Sequence, residues 1–243
     1  MRAKRIIIFF LVLILLYVFS LYYPVLTGKA VNENNRIYEK ERCFVEKIVD
    51  GDTIICDNES IRLLGINTPE KGKPYSKEAV DFLKRIENKS IEILRDKEDI
   101  DKYNRKLRYV FYDNRMLNTE ILEQGLATSF MLNALKYKDN LARAEVYAKN
   151  NGFGLWKKSL EVCANCIKLV ELNYSEEYFI LRNKCDFNCL SLEAKDDANH
   201  FFKINLNANE EKRFDSKTKI WNDDGDRLFI RDEQGNLILF YEY

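Results

Sequence analysis

The periodicities of this chain predict an α+β fold: a membrane-spanning helix, then a small five-stranded β-barrel with packed helices, then a β-sandwich. Three observations carry that expectation. An apolar run of 21 residues at positions 6–26 opens the chain. Between residues 41 and 158, short alternating runs are interrupted by stretches of helical spacing. From Ile167 onward the apolar runs are short and strand-like, with turn residues between them. The expected organisation is therefore an anchor and tether over 1–40, the barrel over 41–158, a linker over 159–166 and the sandwich over 167–243.

As a helix, the 6–26 run would be about 31 Å long, enough to cross the hydrocarbon core of a bilayer. Arg2, Lys4 and Arg5 precede it, which favours a cytoplasmic N-terminus, a single pass and both domains outside the cell membrane. A cleaved signal peptide is the competing reading and would make the protein secreted. Its apolar region is normally about 7–15 residues, and Gly28-Lys29-Ala30 is a poor cleavage site, so a retained anchor is preferred. Residues 31–40 are polar and read as a tether.

In the barrel region, 43–49 and 53–56 are strand-like around the turn Asp50-Gly51-Asp52. The apolar run 61–66 stops at Asn67-Thr68-Pro69, because proline donates no hydrogen bond to a sheet. Helical spacing at Ala79, Phe82, Leu83 and Ile86 follows Ser76, which offers half a capping box. Residues 90–95 and 107–112 alternate as strands. Met116, Leu117, Ile121 and Leu122 mark a short helix ending at Gly125, and a last helix over 140–150 closes at Asn151-Gly152. Phe153, Leu155 and Trp156 are expected to fold back as apolar anchors. In the tail, strands are expected over 167–172, 178–182, 189–192, 200–204, 226–231 and 237–241.

Charge is balanced, 39 Lys and Arg against 39 Asp and Glu, but not evenly spread. Residues 1–40 carry six basic groups against two acidic, residues 41–158 carry 22 against 20, and residues 159–243 carry 11 against 17. An acidic tail argues against that segment tracking phosphates through a basic face. The single histidine, His200, lies in the tail, which excludes a Ser-His-Asp triad, a His-ligated metal hydrolase or a Cys-His protease in the middle of the chain. Cys163, Cys166, Cys185 and Cys189 fit either a tetrahedral zinc site or two disulfides, and an outward-facing chain favours disulfides. Four cysteines allow three pairings, and spacing does not choose between them. Cys43 and Cys56 read equally as a bonded pair or two buried thiols.

Three segments carry chemistry: Asp50-Gly51-Asp52-Thr53, Arg62-Leu63-Leu64-Gly65-Ile66-Asn67-Thr68-Pro69-Glu70 and Asp101-Lys102-Tyr103-Asn104-Arg105. Asp52, Asn67 and the backbone carbonyl of Thr68 are hard oxygen donors suited to calcium. Glu70 is a spare carboxylate, able to accept a proton from a water attacking phosphorus. Arg62 and Arg105 can grip the non-bridging oxygens of a phosphodiester and stabilise the extra charge of its five-coordinate transition state. The expected chemistry is phosphodiester hydrolysis in DNA and/or RNA.

The order and spacing of these segments resemble the thermonuclease (staphylococcal-nuclease-like) family. The resemblance implies an oligonucleotide/oligosaccharide-binding (OB) barrel and a calcium-dependent nuclease. It assigns Asp52, Asn67 and Thr68 to calcium, Glu70 to the base and Arg62 and Arg105 to phosphate. Lys102 and Tyr103 match positions that contact the nucleotide's terminal phosphate. Two departures stand out: many members carry an acidic residue where Asn67 stands, and the base-stacking aromatics align with Met131 and Asn133, beside Phe130. Trp221-Asn222-Asp223-Asp224-Gly225-Asp226-Arg227-Leu228 and Asp232-Glu233-Gln234-Gly235-Asn236-Leu237 resemble the lamin-tail family, which implies an immunoglobulin-like sandwich with a ligand or partner of its own. Asp223, Asp224 and Asp226 there read as turn-forming acids rather than calcium ligands. The rival reading is a surface protein whose OB barrel binds nucleic acid or protein without cutting.

Overall fold

The computed structural model describes residues 39–130 and 135–243, together with Tyr17 and Phe19. The chain divides into two units, Met1–Glu39 and Lys40–Tyr243, and the barrel and tail sheets both belong to the second. Of the 6–26 run only Tyr17 and Phe19 are described, both helical and exposed, so the expected membrane span lies outside the described residues. Among the described residues no helix is long and apolar enough to cross a membrane.

The barrel is built from β1 (Glu41–Ile48), β2 (Thr53–Cys56), β3 (Glu59–Leu63), β4 (Ile66–Asn67), β5 (Ser90–Ile100), β6 (Lys106–Tyr112), β7 (Arg115–Met116) and β8 (Thr128–Ser129). Its helices are α1 (Ser76–Lys84), α2 (Leu117–Glu123) and α3 (Lys138–Asn151). Sheet order β3-β2-β1-β5-β6-β7, with β3 returning to pair in parallel with β6, closes five strands into a barrel. Val45, Ile54, Ile61, Leu63 and Val110 fill it, all fully buried. A register shift between Val45 and Lys47 keeps the lysine outside and turns Ile48 inward, as a β-bulge does. Fully buried Asn118 on α2 accepts from Val110 N at 2.8 Å and donates to Leu64 O at 2.9 Å, pinning that helix to the barrel.

Local expectations hold with four corrections. The 61–66 run is not one strand: β3 ends at Leu63, and a turn through Leu64 and Gly65, the latter at φ 77°, separates it from β4. Ser76 is the first residue of α1 rather than its cap; Tyr75, in the left-handed region at φ 67°, precedes the helix with no side-chain capping bond. β5 continues to Ile100, past the point where alternation of apolar residues stops. Leu155 and Trp156 bury as anchors, but Phe153 stays largely exposed against Tyr147.

The tail holds β9 (Ile167–Asn173), β10 (Tyr178–Asn183), β11 (Cys189–Lys195), β12 (Phe201–Leu206), β13 (Glu211–Asp215), β14 (Arg227–Arg231) and β15 (Leu237–Glu242). They form two antiparallel sheets, β13-β10-β9 and β12-β11-β14-β15. One core joins them, with Phe179, Leu181, Ala194, Ile204, Trp221 and Leu228 at its centre. The six expected strands are present; β13, a charged edge strand, is additional. Two disulfides, Cys163–Cys189 and Cys166–Cys185, use all four clustered cysteines, and Cys43–Cys56 joins β1 to β2. The 159–166 stretch expected as a linker starts against β15, where Ser159 N donates to Leu237 O at 2.9 Å, and ends in disulfide-bonded Cys163 and Cys166.

Barrel and tail share a buried contact. Trp156 and Phe229 have ring centroids 5.8 Å apart and Trp156 and Phe240 5.2 Å apart, with Ala148 and Leu237 in the same apolar cluster. Beside it, Arg227 from β14 donates to both oxygens of Glu145 on α3, at 3.0 and 2.9 Å, and to the carbonyl of Ser129 on β8. Gly235 follows from the same closeness. Its φ is +83°, and a Cβ added there would lie 2.4 Å from Cβ of Pro74.

Candidate active site

Strand pairing brings the three motifs together. Thr53 on β2 stands opposite Arg62 on β3, and Arg62 stands opposite Leu107 on β6, so residues 52–53, 62 and 105–107 form a row across adjacent strands, each about 4.8 Å from the next. Gly51 has to be glycine for the first of these turns to sit where it does. A Cβ there would lie 2.6 Å from Ala79 Cβ and 2.8 Å from Thr68 Oγ1.

Asp52 is the hub of the row and is buried. Its Oδ2 accepts from Thr68 N at 3.2 Å and Thr68 Oγ1 at 3.0 Å, and lies 3.1 Å from Arg62 Nη2. Its Oδ1 accepts from Thr53 Oγ1 at 3.0 Å, and Arg105 Nη1 donates to that same hydroxyl at 3.2 Å. Both guanidinium groups are therefore tied to one carboxylate. Burial works to lower the pKa of Arg62, and Asp52 opposes it. The Asp50 carboxyl is raised above its ordinary value by burial and by the negative charge of Asp52.

The turn 101–105 folds around Asp101, whose Oδ1 accepts from Tyr103 N and Arg105 N, both at 2.9 Å, while its Oδ2 accepts from Arg105 Nε at 2.7 Å. Burial alone would raise the Asp101 pKa, but the backbone and side-chain hydrogen bonds from Arg105 bring it below the ordinary value. Asn104 takes the left-handed φ of 63° that the tight return requires. Tyr103 is 68% exposed, with Lys102 Nζ 5.0 Å and Arg105 Cζ 5.4 Å from its ring centre, so the two expected substrate contacts stand together at the rim.

Glu70 lies two residues beyond Thr68 on an exposed loop, and its Oε1 accepts from Asn199 Nδ2 of the tail at 2.5 Å. Asn67 pairs with Thr128 in the β4–β8 ladder and donates from Nδ2 to Asp197 O of the tail at 3.2 Å. The tail thus forms one wall of a cleft of about 420 Å³, lined on the barrel side by Asn67, Thr68 and Glu70 and on the tail side by Glu193, Lys195 and Phe201. Lys73 crosses it, paired with Glu193 and lying 4.1 Å from the Phe201 ring centre.

The oxygen donors fit a hard cation on one observation. Arg62 Nη2 lies 3.1 Å from Asp52 Oδ2 and 3.5 Å from Asn67 Oδ1, so one positive group draws oxygens of two expected ligands to one point. Among the described residues no group of three or more His, Cys, Asp or Glu is arranged to hold a metal, so an amide and a carbonyl would have to complete such a set. Asp223, Asp224 and Asp226 form no such group either. Asp226 is buried and accepts from Asn222 N and Nδ2 at 3.1 and 2.7 Å, which is turn stabilisation.

All eight expected site residues thus lie on or beside this face. Met131 and Asn133 lie outside the described residues. Sequence reasoning did not single out Asp101, although it sat inside a quoted motif. Asp197, Asn199 and Glu145 carried no local signal, and Arg227 stood only inside the lamin-tail-like stretch, with no role attached to it.

Comparison with known proteins agrees with this geometry. Residues 60–158 match the family described as staphylococcal nuclease homologue. The thermonuclease of Staphylococcus hyicus is 34% identical over 137 residues, covering 51% of this chain and 78% of that protein. The thermonuclease of Staphylococcus intermedius is 34% identical over 130 residues, covering 49% and 77%. An uncharacterized endonuclease of Haemophilus influenzae is 32% identical over 124 residues, covering 49% and 67%.

Proposed function

The chain belongs to the staphylococcal nuclease family and is a nuclease, a phosphodiester hydrolase, and from that premise we propose that it is a membrane-anchored, outward-facing, calcium-dependent enzyme acting on DNA and/or RNA. The single observation that carries the mechanism is the convergence of Arg62 and Arg105 on Asp52 and its hydrogen-bonded neighbour Thr53. Two cations tethered at one acidic point, beside a loop that carries the Glu70 carboxylate, match the charge of a phosphodiester approached by water.

Asp52, Asn67 and the Thr68 carbonyl would hold calcium. Bound there, the ion supplies neutralisation of phosphate charge. Glu70 takes the proton of the attacking water as its oxygen bonds to phosphorus, and the ester bond on the opposite side breaks. Arg62 and Arg105 stabilise the charge that the non-bridging oxygens gain in the transition state. Lys102 and Tyr103 hold the adjacent phosphate at the rim.

The basic residues ahead of the 6–26 run support anchoring with both domains outside. The three disulfides support the same side of the membrane, because they persist in oxidising compartments. The two-sheet tail supports the lamin-tail, immunoglobulin-like reading.

The full-length chain should degrade single-stranded DNA with calcium and stop on addition of a chelator. A chain that stays folded and binds DNA without cutting under either condition would move the reading to a binding module. Protease added outside intact cells should digest both domains, and full protection would reverse the orientation.

A further inference from the structure

Through residues 196–200 the tail bonds to Asn67 and Glu70 of the barrel, and this loop is held from several directions. Asp196 closes it, accepting from His200 N at 3.0 Å and pairing with His200 Nδ1 at 2.5 Å. Asp197 is fixed three ways. Its N donates to Asp226 Oδ1 at 3.2 Å, its carboxylate takes Arg227 Nε, and its carbonyl accepts from Lys195 Nζ at 3.3 Å. Arg227 is in turn bonded to Glu145, and Glu145 to Ser129 N and Oγ at 2.7 and 2.6 Å. Ser129 adjoins Thr128, the strand partner of Asn67. Contacts therefore run in a closed ring from Asn67 through β8, α3 and β14 to Asp197 and back to Asn67. A group held in this way is preorganised, so its hydrogen bonds fix the partner rather than follow it.

Two expected functional residues bond to this loop, Asn67 as donor and Glu70 as acceptor. The Asp197 carbonyl takes a proton-bearing nitrogen, so it selects Nδ2 of Asn67 and leaves Oδ1 turned toward Arg62 and Asp52. An aspartate at 67 would instead set a carboxylate oxygen against that carbonyl. Asn199 donates from Nδ2 to Oε1 of Glu70, which restrains a carboxylate on an exposed loop. We propose that the tail loop completes the active site, with Asn199 as a positioning residue for Glu70 and the Asp197 carbonyl as the group that orients Asn67. The proposal rests on the nuclease reading and on the assignment of Glu70 as base.

The test is a series at Asn199 in the full-length chain, with kcat, KM and melting temperature measured together on a single-stranded oligonucleotide. Asn199→Ala removes the donor and should lower kcat about tenfold, the worth of one hydrogen bond to a charged group, with KM changed less than about twofold. Asn199→Asp has the same shape but turns a carboxylate oxygen toward Glu70, so its kcat should fall below that of the alanine variant. Asn199→Gln keeps an amide donor and should recover part of the loss. Melting temperatures should agree across the series, since the bond is exposed at the surface. Equal kcat in all four proteins, or kcat falling in step with melting temperature, would overturn the positioning role. So would a rise in kcat for Asn199→Ala, which would mark the contact as an obstruction. A wild-type chain with no turnover would defeat both the nuclease reading and this proposal. An active wild type with a flat series would defeat the positioning role alone.

Discussion

Barrel and tail each contribute charged and polar groups to the candidate site, yet they deliver them over very different distances along the chain. Within the barrel, Arg105 reaches Thr53 across 52 residues, and the two lie on or beside β6 and β2, the strands that flank β3 in one closed sheet. From the tail, Asn199 reaches Glu70 across 129 residues and Asp197 reaches Asn67 across 130. The barrel places its set by backbone ladders, which specify register residue by residue. The tail places its set by docking, through one buried arginine, an aromatic cluster and a glycine pressed on Pro74. A ladder tolerates side-chain change better than a dock does, so the two regions should fail differently when perturbed.

The largest effect should come from the barrel's own chemistry. Glu70→Gln keeps shape but cannot accept the proton, so kcat should fall about 100- to 10,000-fold with DNA binding retained. Steady-state kinetics beside an equilibrium binding titration checks both halves, and an unaltered kcat would remove Glu70 as the base. Next in size is the dock. Arg227→Ala leaves Glu145 and Asp197 buried without their cation, which should cost about 3–5 kcal/mol in denaturant unfolding of the full chain. If the tail positions the site as argued, kcat should fall as well, although Arg227 lies outside the reacting set.

A smaller loss is expected for Gly235→Ala, about 1–3 kcal/mol, because it imposes both a left-handed φ and a clash with Pro74. A stability equal to wild type would show that the loop holding Pro74 yields freely.

The smallest and most specific effect concerns pH. Burial pushes the Asp197 carboxyl up to about 7, despite the opposing pull of Arg227. A folded value above the unfolded one means that the folded chain keeps a proton the unfolded chain has released. This contribution to stability is present at low pH and is lost as pH rises toward 7. Asp197→Asn should therefore flatten the difference in melting temperature between pH 5 and pH 8, and an unchanged difference would place the titration elsewhere.

Much of the fold was legible because it rests on local pattern. Strand-like runs around an Asp-Gly turn located β1 and β2, alternation located β6 and the first half of β5, glycine located the ends of α2 and α3, and short strand-like runs located six tail strands. The misses have physical causes. β13 is a charged edge strand with Phe214 as its one partly buried apolar residue, so it has no alternation to read. β5 runs past Arg95 through polar residues 96–99, where the pairing with β6 shifts register before it resumes at Ile100 and buried Asp96 accepts from the Tyr109 hydroxyl at 2.5 Å, so no apolar alternation marks it. Ser76 looked like a cap because serine favours that place, but the chain enters α1 through the left-handed turn at Tyr75 instead.

The candidate site divides in the same way. Residue type and spacing named Asp52, Arg62, Asn67, Thr68, Glu70 and Arg105, since phosphodiester chemistry demands carboxylates, hard oxygens and guanidinium groups, and short motifs supply them in order; Lys102 and Tyr103 came only with the family resemblance. Tertiary structure alone decided the cysteine pairing, because closing two loops is a matter of which sulfurs meet in space. It alone decided that residues 196–200 stand beside Glu70, because docking depends on the shapes of two folded surfaces and leaves no mark in local sequence. Asn67 shows where the two meet. Read as a sequence, it is a position where many family members carry a charge; in the fold, its Nδ2 donates to the Asp197 carbonyl, which an aspartate at 67 could not do.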